Sequence, residues 1–103
     1  MLEIPREGAK GSDLKRGPEA LLSSGRRFRQ ARLEAGLTCR DVERLSREVA
    51  KHYGDDRYIV RLSALSGIEN DGNVPNVFRL HSLCMIYSQD LISALAWFGI
   101  PWL

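Results

Sequence analysis

The 103-residue chain reads as an all-α protein. Three observations predict this. Apolar residues recur every three or four positions in five successive segments. Most of those segments follow a Ser, Thr or Asn suited to capping a helix. No pair of alternating, strand-like runs stands out.

Composition bounds the answer before any element is placed. Apolar residues make up 44% and charged residues 27%, as in ordinary globular domains, and the length suits one domain. The net charge of +2 is too small to imply a nucleic-acid partner, so the distribution matters more. Residues 1–52 hold twelve of the fifteen Lys and Arg against eight acids, whereas from Val77 to Leu103 there is one base, Arg79, and one acid, Asp90. One part is basic and the end is almost uncharged. Cys39 and Cys84 are isolated, as are the two histidines, so no metal site and no cofactor are expected and both thiols read as reduced. No signal peptide or membrane span is evident, which predicts a cytoplasmic protein.

The elements follow in order. Residues 1–22 mix Gly, Pro, Ser and charge with few apolar positions and read as a flexible tail, whose Lys10, Lys15 and Arg16 form either a solvated arm or a phosphate contact. The domain proper is expected over 23–103. Ser23 or Ser24 can cap a first helix from Gly25 to Ala35, with Gly36 in the left-handed end position. Phe28, Ala31 and Leu33 offer apolar contacts, and Arg26, Arg27 and Arg29 face outward. Thr38 caps a second helix, Cys39 to about Lys51, with Asp41 completing a variant capping box. Val42, Leu45 and Val49 form its stripe. Cys39 sits where a thiol can be activated, but no base accompanies it.

His52 to Val60 breaks the pattern: Tyr53-Gly54-Asp55-Asp56 signals a turn, and Tyr58, Ile59 and Val60 suit an extended loop pinned to the core. A third helix, Arg61 to Asn70, places Leu65 and Ile68 inward and Ser63, Ala64, Gly67 and Asn70 outward. A helix that small on its outer face lets something come close. It reads either as the recognition helix of a helix-turn-helix or as a poor helix packed on another subunit. Asn76 caps a fourth helix, Val77 to Tyr87, with Leu80, Leu83, Cys84 and Tyr87 on one face. Ser88 is the expected cap of a fifth, Gln89 to Phe98, ended by Gly99 and Pro101. That helix is apolar nearly all round, so Leu95, Trp97, Phe98 and Trp102 either form an interface or close the chain's own core. The ending at Pro101-Trp102-Leu103 is compatible with a longer protein.

Three stretches carry a resemblance. Gly25-x-Arg27-Phe28-Arg29-x-x-Arg32-x-x-x-Gly36-Leu37-Thr38 resembles the opening of the Cro/repressor-type helix-turn-helix (XRE) family. Ser66-x-Ile68-Glu69-Asn70-x-Gly72-x-x-Pro75 resembles its third helix and following loop, and Leu80-x-x-Leu83 its fourth helix. The resemblance covers about residues 24–98 and implies a five-helix bundle. Its departures are a loop of about nine residues, 52–60, between helices 2 and 3, and Cys39 where the family often carries Gln.

The resemblance also implies roles. Arg32 and Glu69 match a buried ion pair joining helix 1 to helix 3. Arg61, Leu62, Ser63, Ala64 and Gly67 fall where the family reads base edges. Thr38, Cys39, Arg40, Asn70, Asn76 and Val77 fall at its phosphate contacts, and Arg57 in the enlarged loop can join them. The function so implied is sequence-specific binding of double-stranded DNA by a bacterial transcriptional regulator; separately, the apolar C-terminal helix offers a surface for a homodimer, and no membrane or metal partner is expected. The alternative is an interaction or dimerisation module on the same fold. Paired carboxylates, a nucleophile–base set and a phosphate-binding glycine loop are all missing from the sequence, so no enzyme is expected.

Overall fold

The computed structural model describes residues 17–100, with side chains from residue 24 onward. Of the tail expected over 1–22, residues 17–22 instead belong to the first helix, whereas residues 1–16, with Lys10, Lys15 and Arg16, and Trp102 at the other end lie outside the described residues. The regular elements among the described residues are all helical, with no strand: α1 (Gly17–Glu34), α2 (Cys39–Tyr53), a single 3-10 turn (Asp56–Tyr58), α3 (Leu62–Asn70), α4 (Val77–Tyr87) and α5 (Leu91–Trp97).

The first helix begins at Gly17, ahead of the expected start. Ser24 is therefore a buried residue inside α1 rather than its cap. The buried face of α1 runs through Ser24, Gly25, Phe28, Ala31 and Arg32. Leu33 is exposed, contrary to expectation: five residues past Phe28, it lies about 140° round the helix from the core. The helix closes at Gly36 (φ 73°), where Gly36 N–H donates to Leu33 O at 3.0 Å and Leu37 N–H to Arg32 O at 3.1 Å. This is a Schellman end, and the left-handed geometry needs the glycine.

Thr38 starts α2 with a complete capping box. Its hydroxyl accepts the Asp41 N–H at 3.1 Å while the Asp41 carboxylate accepts the Thr38 N–H at 2.9 Å. The fully buried line of α2 is Val42, Ser46 and Ala50, not the expected Val42, Leu45 and Val49. Leu45 and Val49 flank it, half-buried. A serine holds the central place because Ser46 Oγ accepts the Val60 N–H at 2.8 Å and donates to Glu43 O at 2.8 Å. Burial without those partners would cost about 1–3 kcal/mol.

The enlarged loop packs between α2 and α4. Helix α2 takes in Tyr53 and ends at Gly54. Tyr58 lies in the 3-10 turn rather than in extended chain, and its carbonyl accepts from Ser82 Oγ at 2.6 Å. Ile59 and Val60 are buried as expected, and Arg79 Nε donates to Ile59 O at 3.2 Å.

Helix α4 matches its expected bounds, with Asn76 accepting the Arg79 N–H at 2.8 Å. Leu80, Leu83, Cys84 and Tyr87 are buried, and Val77 and Met85 are exposed. Ser88 does not cap α5. It takes the left-handed position that ends α4 (φ 56°), and Asp90 caps α5 by accepting the Ser93 N–H at 2.7 Å. Trp97 meets Phe28 edge-on at 5.0 Å between ring centroids and Phe98 lies at 5.5 Å. Leu95, Trp97 and Phe98 therefore pack, partly buried, against the core around Phe28, as the second of the two readings left open by the sequence has it. The outward apolar residues of this end are Leu91, Ile92 and Ile100. Among the described residues no helix is long and apolar enough to cross a membrane.

Candidate nucleic-acid interface

The candidate site is the outer face of α3, and its position is set by the contacts that hold α3. Leu65 and Ile68 are buried in the core. Near its C-terminal end Glu69 takes two bonds from Arg32, Nε–Oε2 at 2.8 Å and Nη2–Oε1 at 3.0 Å, with side-chain exposures of 10% and 4%. A third donor, Arg32 Nη1, reaches Leu37 O at 3.0 Å and ties in the turn between α1 and α2. The bond to Glu69 raises the guanidinium's pKa above its usual value against the opposing effect of burial. Close by, burial pushes the Tyr87 phenol well above its usual range, and its hydroxyl has no hydrogen-bond partner among the described residues.

Gly25 sets how near α1 and α3 come. A Cβ there would run into the Glu69 carbonyl oxygen and stand 2.9 Å from the Ile68 carbonyl oxygen. The crossing is backbone against backbone, which only glycine permits.

The start of α3 has no cap of its own. Arg61 occupies the cap position in extended geometry and makes no side-chain capping bond. Glu43 of α2 supplies the acceptor, taking the Leu62 N–H on Oε1 at 3.2 Å and Arg47 Nη2 on Oε2 at 2.7 Å. The Arg47 bond, followed by the Leu62 N–H, holds the Glu43 carboxyl below its usual range against desolvation.

The expected base-reading residues then fall into two sets. Arg61 and Ser63 are exposed, and Leu62 and Ala64 are partly so. Arg61 makes no ion pair among the described residues. Gly67 is different: it is buried, because Asn73 from the following loop lies over it, and a Cβ at Gly67 would collide with the Asn73 amide nitrogen. Gly67 is therefore covered by the loop rather than open on the outer face as expected.

The expected phosphate contacts cluster at helix starts. The Thr38 N–H is taken by Asp41, which leaves the N–H groups of Cys39 and Arg40 as the free donors opening α2. Cys39 is half-exposed and Arg40 exposed. Asn76 spends its side chain on its own helix, and exposed Val77 follows it. Asn70, also exposed, donates to Ser66 Oγ at 3.2 Å. Arg57 is engaged on both sides: Asp55 accepts from its Nε and Nη2 at 3.0 and 2.6 Å, and its guanidinium carbon lies 4.0 Å from the Phe78 ring centroid. It is a less available cation than the sequence suggests.

Away from α3, Tyr53, Tyr58, Phe78 and His81 form an aromatic cluster in which the two tyrosines stack at 4.8 Å. An apolar groove of about 270 Å³ runs beside it along Val77, His81, Met85 and Leu91. A second cleft of about 420 Å³ lies beside α3, between Ala64 and Ile68 on the helix and Asn73, Val74 and Pro75 in the loop. Among the described residues no three His, Cys, Asp or Glu gather as metal ligands.

Three roles in this arrangement escape a reading of the sequence: the cap from Glu43, the close approach at Gly25 and the cover over Gly67. Glu43 gives no signal, because it acts on a helix start nineteen positions away. Gly25 and Gly67 do give one, since a glycine inside a helix marks a close approach. No known protein family, curated protein or solved structure matches this chain.

Proposed function

We propose that the chain is a double-stranded DNA-binding domain of the Cro/repressor helix-turn-helix type, serving a bacterial transcriptional regulator, with α3 entering the major groove. One observation carries this reading. Helix α3 is held on its inner side by Leu65, Ile68 and the Glu69–Arg32 pair and at its start by Glu43, while the residues of its outer side are short and are led by Arg61, which makes no ion pair among the described residues. A major groove about 12 Å wide admits a helix of that kind. The open N–H groups starting α2 and α4 suit phosphate oxygens on either side. The Arg32–Glu69 bond also agrees with the pair that the family resemblance implies. In this reading Arg61 addresses guanine, Leu62 and Ala64 meet thymine methyls, and a dimer covers two half-sites roughly 34–36 Å apart.

A second reading, an interaction module on the same fold, draws on the exposed Val77, Met85, Leu91 and Ile92 of α4 and α5. Selection from a random duplex pool at two salt concentrations separates the two. DNA reading requires an enriched motif, whose binding weakens steeply with salt. Motif-free binding abolished by modest salt sinks it and favours the interaction module.

A further inference from the structure

Helix α3 is poorly equipped to read bases unaided. Ser63, Ala64 and Ser66 are too short for a two-point contact with a base edge. Asn70 has a suitable amide, but it is the last residue of α3 and is bonded to Ser66. The missing group lies on the loop. The chain reverses at Gly72 (φ 73°), and Asn73 N–H donates to Gly67 O at 3.0 Å. This lays the Asn73 side chain across α3 at Gly67, the one position where the helix has no Cβ to obstruct it. Gly67 shares a helical face with Ser63 and Ala64, three and four residues earlier. Asn73 is exposed, and its side-chain amide has no hydrogen-bond partner among the described residues.

We propose that Asn73 is a specificity-determining residue that reads adenine from the α3–α4 loop, seated on Gly67. This rests on the DNA-binding reading above. An asparagine amide offers a donor and an acceptor matching adenine N7 and N6. The cleft beside it, walled by Ala64 and Val74, gives apolar surface for the thymine methyl of the same base pair. The glycine weakens a nine-residue helix. In exchange it lets a side chain from outside the helix stand on the reading face.

The test is duplex-pool selection by the full chain, followed by competition binding of the selected site and single-base variants. Wild type is expected to select an A·T pair at one position of each half-site. Asn73→Ala is expected to lose preference there by roughly 5- to 150-fold and to keep it elsewhere. Asn73→Asp is expected to move that preference toward cytosine, whose N4 amine it can accept. Gly67→Ala, checked for folding by thermal melting, is expected to mimic Asn73→Ala because it displaces the amide. An unchanged motif in Asn73→Ala, with all sequences weakened equally, makes Asn73 a phosphate contact and overturns the inference while leaving DNA reading intact. A wild type that selects no motif overturns both.

Discussion

Glu43 on α2 caps α3: its carboxylate accepts the N–H of Leu62, the first residue of that helix, where Arg61 at the cap position makes no such bond. The start of the candidate reading helix is thereby fixed by its neighbour. Glu43→Ala is expected to lower the melting temperature. Arg47→Ala removes only Glu43's exposed partner and is expected to change it little. Equal effects from the two would show that the ion pair, not the cap, accounts for Glu43.

Removing either member of the Arg32–Glu69 pair strands a buried charge. Arg32→Ala or Glu69→Ala is expected to cost about 3–5 kcal/mol in chemical denaturation. Arg32→Lys is expected to recover little, since an ammonium cannot hold both carboxylate oxygens and Leu37 O at once. A loss under about 1 kcal/mol in Arg32→Ala would mean that the pair is far better solvated than its exposure indicates.

Gly25→Ala tests the crossing of α1 with α3. Alanine favours a helix over glycine by about 1 kcal/mol, so a free surface position would gain stability. Here the added carbon meets the Glu69 and Ile68 carbonyls, and a net loss of about 1–3 kcal/mol is expected. A gain in stability would show that the helices part at no cost.

The opposite sign is expected at Ser88. It ends α4 in the left-handed region, at φ 56°, with Gln89 N–H bonded to Cys84 O at 2.9 Å. A side chain there costs about 1–2 kcal/mol, so Ser88→Gly is expected to raise stability by up to roughly 1 kcal/mol after the entropy lost by a freer unfolded chain. Thermal melting reads it directly.

Acid should weaken the fold through its caps. Asp41, Asp55 and Asp90 are all held below the usual carboxylate range, chiefly by the Thr38 N–H, the Arg57 side chain and the Ser93 N–H respectively. A carboxylate with a lower pKa folded than unfolded stabilises the fold fully above its unfolded value and loses that contribution as pH falls through the folded one. Melting temperature is therefore expected to be level above about pH 5 and to fall below about pH 4. Asp90→Asn, which cannot titrate, should make that fall shallower.

What the sequence made legible was mostly local. Thr38 with Asp41, Asn76, and the Gly36 stop act within four residues of themselves, and each stands where it was expected. At α5 the expected cap, Ser88, is needed to end α4, and Asp90, which was not expected there, takes the cap instead. The misreadings came where packing decides. Periodicity could not choose between Leu45 and Ser46 for the inside of α2, because the choice depends on the Val60 N–H from the loop. Nor could it tell whether Trp97 and Phe98 faced a partner or Phe28. At the candidate site, the short outer side of α3 was readable, whereas the loop residue covering Gly67 was not.

Helix α3 has nine residues, fewer than the roughly 12–15 at which an isolated helix holds in water. One end hangs on Glu43 and the other on Arg32, so neither can fray without disturbing α2 or α1. Its backbone amides should exchange with solvent only through large-scale opening of the molecule. A surface kept that way has its shape before anything arrives. Whatever docks on it spends no binding energy on ordering the helix, and association resembles the meeting of two rigid bodies rather than folding upon contact.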